Sequence, residues 1–193
     1  QSNGASPVQL KIQGEATAEG LRQAKELGFI SKLAQQAKGR SHYAFELGLL
    51  GGQPQWLMQT DLDGMALTLP APLNKAATSK VALRVESQLT AESLRPKSKV
   101  QQDQIKVAFG KQVSVMYVRD VSGPRTRVVR GAMTVGNVSD AVARDTGVTL
   151  ALQLPMVDLD AWNEVLSQAM GTSLVRVKSK ASSIGIEASG ESA

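Results

Sequence analysis

Asp61-Leu62-Asp63-Gly64-Met65-Ala66-Leu67-Thr68-Leu69-Pro70-Ala71-Pro72-Leu73-Asn74-Lys75 is the run from which the fold is read. A strand arrives at Asp61 and Leu62, and Asp63-Gly64 supplies a turn. Met65, Leu67 and Leu69 then alternate with Ala66 and Thr68, the period-two pattern of a strand with one dry face. Pro70 and Pro72 end it, because neither has an N–H to donate to a neighbouring strand. The expectation is two antiparallel strands followed by a bend that stops the pairing and turns the chain outward.

The same alternation recurs on both sides. Upstream, Val8, Leu10 and Ile12 alternate with Gln9, Lys11 and Gln13, predicting a strand over 7–13. Thr17 as a cap and Gly28 as a terminator bracket a helix over 18–27. Phe29, Ile30, Leu33 and Ala37 share one face of a second short helix, which Lys38-Gly39-Arg40 breaks. From Ser41 the period returns to two, with Tyr43, Phe45, Leu47 and Leu49 on one face. Gly51-Gly52-Gln53-Pro54 turns the chain, and Trp56, Met58 and Leu62 come back.

Downstream of the opening run, Val81, Leu83 and Val85 continue the series, and the lysine-bearing stretch 90–102 reads as a loop or exposed edge. Ile105 to Phe109 and Val113 to Val121 pair about Gly110-Lys111, and Ser122-Gly123-Pro124 turns into a strand over 125–135. The cleanest alternation sets Val148, Leu150, Leu152, Leu154 and Met156 against Thr149, Ala151 and Gln153. Asp160 is placed to cap a helix over 161–170 that Gly171 ends, and strands near 173–180 and 184–188 follow.

The sum is a mainly β fold with some helix (α+β): a large curved antiparallel sheet or meander with an apolar concave face and about three short helices. One domain is expected over 7–188, flanked by a disordered start at 1–6 and a tail at 189–193. Gln1-Ser2-Asn3 reads as the remnant of a cleaved tag, so the chain is expected to be a piece of a longer protein. Strands with one dry face each present more apolar surface than three short helices can cover. Either the sheet closes over itself as a sandwich or barrel, or it curves around an apolar groove. Aliphatic lining with methionines such as Met58, Met65, Met133 and Met156 suits flexible acyl chains. The candidate lining residues are Met65, Leu67, Leu69, Leu83, Val148, Leu150, Leu152, Leu154 and Met156.

Composition limits the chemistry. The 193 residues contain no cysteine, which removes disulfides, thiolate metal sites and cysteine nucleophiles together. A net charge of +5 suits an acidic partner or simply solubility, and with aromatics at 4% the stacking platforms of a single-strand nucleic-acid binder are missing. No run approaches eighteen consecutive apolar residues. His42 is the sole histidine, at the start of a strand, and a hydrolase would have to be built on it alone. Asp61 with Asp63, and Asp158 with Asp160, could each face a hard cation, but a turn and a helix cap account for them with fewer demands. Basic residues fall in rows, Arg125 with Arg127, Arg176 with Lys178 and Lys180, and Lys97 with Lys99. Such rows are first a solvated outer face, and second an attraction to anionic headgroups. No catalytic residue, metal or cofactor is expected.

The opening run, Leu62 and Gly64 through Leu69-Pro70-Ala71-Pro72-Leu73-Asn74-Lys75, resembles the L-x-G-x-x-x-x-L-P-x-P-L-x-K pattern of the YhdP family of AsmA-like Gram-negative envelope proteins. Val129-Arg130-Gly131 with Val135-Gly136 is similar to that family's R-G-x-x-x-V-G strand, and Leu159-Asp160-Ala161-Trp162 to its L-D-x-W helix start. Asn74 stands where glycine is expected, and asparagine also tolerates turn conformations. The resemblance covers roughly Val8 to Met170. It implies a periplasmic segment of an inner-membrane-anchored protein, part of an elongated β-sheet conduit. Such a conduit carries phospholipid, through its acyl chains, between the inner and outer membranes and supports the permeability barrier. It offers no catalytic residues. The alternative reading is a structural or protein-binding β-domain of the envelope with a closed core.

Overall fold

Period-two patterning becomes eleven strands: β1 (Gln9–Thr17), β2 (Ala37–Leu50), β3 (Gln53–Thr60), β4 (Met65–Leu67), β5 (Leu83–Leu89), β6 (Gln102–Phe109), β7 (Val113–Asp120), β8 (Arg127–Gly136), β9 (Gly147–Gln153), β10 (Arg176–Lys180) and β11 (Ser183–Glu187). Helices α1 (Ala18–Gln23) and α2 (Phe29–Leu33), with a 3-10 turn at Ala34–Gln36, join β1 to β2. The computed structural model describes residues 9–24, 29–50, 53–124, 126–136, 147–153, 158, 160–162, 164, 176–180 and 183–187. Of these, 29, 30, 50, 53, 148, 150, 152, 153, 176–180 and 183–187 are described by backbone position alone.

The main sheet runs in the order β1-β2-β3-β5-β6-β7-β8-β9, with β4 paired to the start of β2, and β10-β11 form a separate hairpin. The sheet does not close into a barrel. Every pairing from β1 to β8 is antiparallel, whereas β9 lies parallel to β8. Gly136, which ends β8, and Gly147, which starts β9, both take positive φ, and β9 begins beside Arg130. The one-faced alternation of β9 was legible as a strand but carried no information about its direction.

Residues opposite each other in register project to the same face of a sheet. Following the register from Ile12 gives Phe45, Met58, Val85, Val107, Val115 and Met133, with Leu150 at the next position in β9. One residue along, the strands turn largely polar, although β7 also sets Met116 and the buried Val118 on this side, with the buried Ala132 of β8 opposite Met116. The opposite face carries Lys11 paired to Glu46, Arg40 to Glu15, Glu86 to both Arg84 and Lys106, and Arg127 to Asp120. These pairs are solvent-facing, so they keep that side wet more than they stabilise the fold. The exposed His42 sits among them, opposite Glu15.

The core gathers at one end of the dry face. Ala18 from α1, Ala37, Leu62 and Met65 pack with Phe109, Val113 and Val135 from β6, β7 and β8, and Leu21, Leu67, Leu73, Val81 and Leu83 join from the rim. Several boundaries differ from the sequence expectation. β1 continues four residues beyond Gln13 because β2 supplies partners as far as Arg40. β2 starts at Ala37, since Gly39, at φ 94°, absorbs the expected break inside the strand and lets it pair with Met65. α1 ends by Gln23, with Ala24 already outside helical geometry. Farther on, Asp158 rather than Asp160 caps the turn at 160–162, its carboxylate accepting from Ala161 N–H at 2.9 Å. The helical backbone already includes Asp160, one residue earlier than expected, so the acceptor comes from Asp158. Leu154, Met156 and the expected helix beyond Glu164 lie outside the described residues.

Gly39 meets the turn of the opening run at close range. A Cβ on Gly39 would lie 2.2 Å from the carbonyl oxygen of Gly64, and one on Gly64 (φ 84°) would lie 2.7 Å from that of Arg40. Both positions combine a left-handed backbone with backbone contact, which no side chain can relieve. Gly39→Ala is therefore expected to lower stability by about 3 kcal/mol, the sum of φ strain and a displaced strand. The check is the urea midpoint, and an unchanged midpoint would show that β2 and the turn do not touch as described.

Candidate apolar binding face

The dry face is graded from covered to open. Its innermost row, Phe109, Val113 and Val135, is buried under α1, β4 and the run 62–81. The next row holds Ile12, 42% exposed, then Phe45 and Met58 half-buried, Val85 buried, and Val107, Val115 and Met133 half-buried. Six interstrand steps from β1 to β8 make this row about 29 Å long. Toward β1 the face opens: Leu10 is 50% exposed and Leu49 42%. Phe45 and Trp56 stack there with ring centroids 6.0 Å apart and planes 26° from parallel. No polar side chain interrupts the row through Ile12, so its chemistry is uniformly apolar with two sulfur-bearing side chains.

The corner that covers the inner row is built from the opening run. Leu62 takes φ 52° and is buried, as are Met65 and Leu69. Pro70 and a cis Ala71–Pro72 bond lead to Lys75, which is only 6% exposed. The Lys75 ammonium donates to Met65 O at 2.8 Å and to Ala76 O at 2.9 Å. Burial holds its pKa below the usual lysine range, an effect that the nearby charges of Asp63 and Asp61 oppose. Lys75 and Leu67 also exchange both backbone hydrogen bonds, at 3.0 and 2.8 Å. Thr68 ties the corner to the 3-10 turn through Gln36 O, and Trp162 Nε1 donates to Ala71 O at 3.0 Å from the far end of the sequence.

Outside the corner, Lys80 lies 3.3 Å from Asp61 and 3.1 Å from Asp63. The Asp61 carboxylate accepts from the Asp63 N–H, which with Lys80 lowers its pKa, and the two carboxylates raise that of Lys80. Asp61 thus serves a turn and an ion pair. Among the described residues no three acidic or histidine side chains gather to hold a metal.

The opposite rim of the dry face carries one ion pair. Arg119 grips Asp103 through both Nε and an Nη, the Nε bond at 2.9 Å, and Asp103 is 8% exposed. That grip raises the Arg119 pKa, while burial raises that of the neighbouring Tyr117. Asp103 and Arg119 are the charged residues that this face presents in β5 to β8. They end the apolar rows at the side where the loop 90–101 joins β5 to β6.

Of the candidate lining residues, Met65 and Leu69 lie inside the core, and Leu67 and Leu83 pack half-buried against it. Val148, Leu150 and Leu152 occupy successive dry-face positions in the β9 backbone, beside Gly131, Met133 and Val135. Leu154 and Met156 lie outside the described residues. The structure brings Leu83 together with the β9 positions on one face but sets β4 off the main sheet. Ile12, Phe45, Val85, Val107 and Val115 were not among the lining candidates, although each sits on the dry side of its own alternation, and Met58 was noted only as a methionine suited to acyl chains.

A family model described as YhdP protein matches residues 1–190. No curated protein and no solved structure matches the chain. The matched span contains the corner, the row through Ile12 and the β8 strand in which Gly131 lies under Tyr117, where a Cβ would come within 3.1 Å of the tyrosine Cβ.

The corner makes a stability prediction. Lys75→Met keeps the stem but leaves Met65 O and Ala76 O without the ammonium, at an expected cost of about 2 kcal/mol. Lys80→Met, which alters only the exposed pairs with Asp61 and Asp63, should leave the urea midpoint within error of the parent. Equal effects from the two substitutions would mean that Lys75 does not hold the corner.

Proposed function

The chain belongs to the YhdP family, and from that premise we propose that it is a non-enzymatic segment of a lipid-transfer conduit of the Gram-negative envelope. In this reading the parent protein is anchored in the inner membrane, this segment works in the periplasm, and phospholipid passes between the inner and outer membranes to support the outer-membrane permeability barrier. Acyl chains lie along the row from Ile12 to Met133 and headgroups stay on the wet side of the rim.

The observation that carries the proposal is that row: seven described apolar side chains, one from each of β1 to β3 and β5 to β8 in an open sheet, with the charges of this face confined to the Asp103–Arg119 pair at its rim. An ordinary sheet core needs a covering layer across its whole dry face. Here the corner covers one end, while Leu10, Ile12 and Leu49 remain exposed at the other. Among the described residues no helix is long and apolar enough to cross a membrane, which fits a segment working away from the anchor. The closed-core reading draws its support from the buried row Phe109, Val113 and Val135, so the two readings divide one face between them.

A photo-crosslinking residue placed at Met58 or Leu152 of the parent protein in cells should capture phospholipid, while one at Gln59, on the wet face, should capture little. Equal capture at dry and wet positions, or none at either dry position, would remove the conduit reading.

A further inference from the structure

Lys11, Arg40, Arg84, Lys106 and Arg127 each have an acidic partner on the wet face. The loop 90–101 is different. It carries Arg95, Lys97 and Lys99 against one acid, Glu92, and all four are exposed. Among the described residues no acidic side chain pairs with any of these three cations. The loop is nevertheless held in shape. Ser93 Oγ accepts from the Gln102 N–H at 2.8 Å and donates to Gln102 O at 3.0 Å, and the Thr90 N–H donates to the same carbonyl at 3.0 Å. The Ser98 N–H closes a turn on Arg95 O at 3.1 Å, with Pro96 and Lys97 at its centre. Lys97 takes φ 64° there, at the position that such a turn ordinarily gives to glycine. A charged side chain kept on strained backbone is the kind of outlier that clusters where ligands are held.

The place of the loop in the sheet suits one kind of ligand. Two residues beyond the pairing of Trp56 with Ser87, the register brings Pro54 level with Leu89, so the rim of the dry face is a row. It runs from Leu49 through Pro54 and Leu89 to Asp103, Arg119 and Val128. Leu49 and Val128, at its two ends, are exposed. The loop leaves this row at Leu89 and returns to it at Gln102, and its own Leu94 is exposed too. β5 stands two interstrand steps, about 10 Å, from β2 and the open apolar patch at Leu49 and the Phe45–Trp56 stack. Asp103 and Arg119 neutralise each other at the base of the loop, so the excess positive charge beside the rim comes from Arg95, Lys97 and Lys99. Apolar surface ending at unpaired cations matches an amphiphile with apolar chains and an anionic head.

We infer that the loop 90–101 is a headgroup-binding site that selects phospholipids of net negative charge, with Arg95, Lys97 and Lys99 facing the phosphate while the acyl chains lie on the dry face. The inference rests on the conduit reading above and adds to it the charge of the cargo. A zwitterionic headgroup brings its own ammonium, which the three cations repel. A headgroup ending in glycerol leaves the phosphate charge uncompensated. The attraction grows with each basic residue near the lipid phosphates and weakens with salt.

Native mass spectrometry of the longer protein reads the selection. The protein is incubated in mixed micelles with equal amounts of phosphatidylglycerol and phosphatidylethanolamine that carry the same acyl chains. The unsubstituted protein should take up phosphatidylglycerol at least about fivefold over phosphatidylethanolamine, the ratio that the attraction of one basic residue supplies. Arg95→Gln with Lys97→Gln and Lys99→Gln should bring that ratio to within about twofold of parity while lipid is still bound. Lys32→Gln with Lys38→Gln and Lys111→Gln removes the same charge from exposed positions in α2, at the start of β2 and between β6 and β7, and should leave the ratio unchanged. An unsubstituted protein that binds both lipids equally overturns the inference and leaves the conduit reading standing, whereas one that binds neither overturns both. A loop variant that folds by circular dichroism and keeps the original ratio overturns the inference too, as does a distant variant that loses the ratio as fully as the loop variant.

Discussion

The strands β1 to β3 and β5 to β8 turn most of their large apolar residues to the same side, and the need to keep that side from water is the constraint on which the rest depends. Seven strands meeting in register, β1 to β3 and β5 to β8, convert seven separate alternations into one apolar row. The helices available, α1, α2 and the turns around them, are short. Among the described residues α1, β4 and the run 62–81 cover the end where Phe109, Val113 and Val135 lie and leave the β1 to β3 end exposed or half-exposed. Large apolar patches that stay open on a folded protein mark places where something binds. On the proposed reading, function in this chain is a property of a surface rather than of a cluster of reactive groups.

The corner at 61–81 decides where covering stops. Its backbone folds back tightly enough to bring Leu62, Met65 and Leu69 into the core, and the Lys75 ammonium satisfies carbonyls that the bend leaves facing inward. A neutral side chain of the same length would fill the space but not those acceptors. At the other rim Asp103 and Arg119 neutralise each other, so the apolar rows finish on a fixed polar edge instead of fraying into a loop. Breaking such a pair leaves a buried charge uncompensated, which costs more than the pair itself contributes.

Much of this was legible in the sequence, and the rest was not for definable reasons. The run Leu62 to Lys75 announced its turn, short strand and stop, and its pattern pointed to the family that the chain belongs to. Alternations such as Tyr43, Phe45, Leu47 and Leu49 disclosed which side of β2 is dry. Nothing local tells that Phe45 stands opposite Met58, or Met58 opposite Val85, because register depends on how hairpins and loops are closed in three dimensions. The burial of Lys75 was hidden for a similar reason: its partners are the backbone carbonyls of Met65 and Ala76, which any sequence possesses. The parallel placement of β9 left no trace in Val148 to Gln153, since a one-faced strand reads the same in either direction. Ala37 was assigned to a helix because it completes a 3.6-residue stripe from Phe29, and tertiary pairing with β4 outweighed that periodicity.

The central claim is that the open part of the dry face exists to hold acyl chains. Native mass spectrometry of the gently purified longer protein tests it most directly, comparing the parent with a variant carrying Phe45→Glu and Met58→Glu. The account predicts phospholipid adducts on the parent and their loss from the variant while its circular dichroism stays that of a β protein. A parent free of lipid, or adducts that persist undiminished in the folded variant, would contradict it.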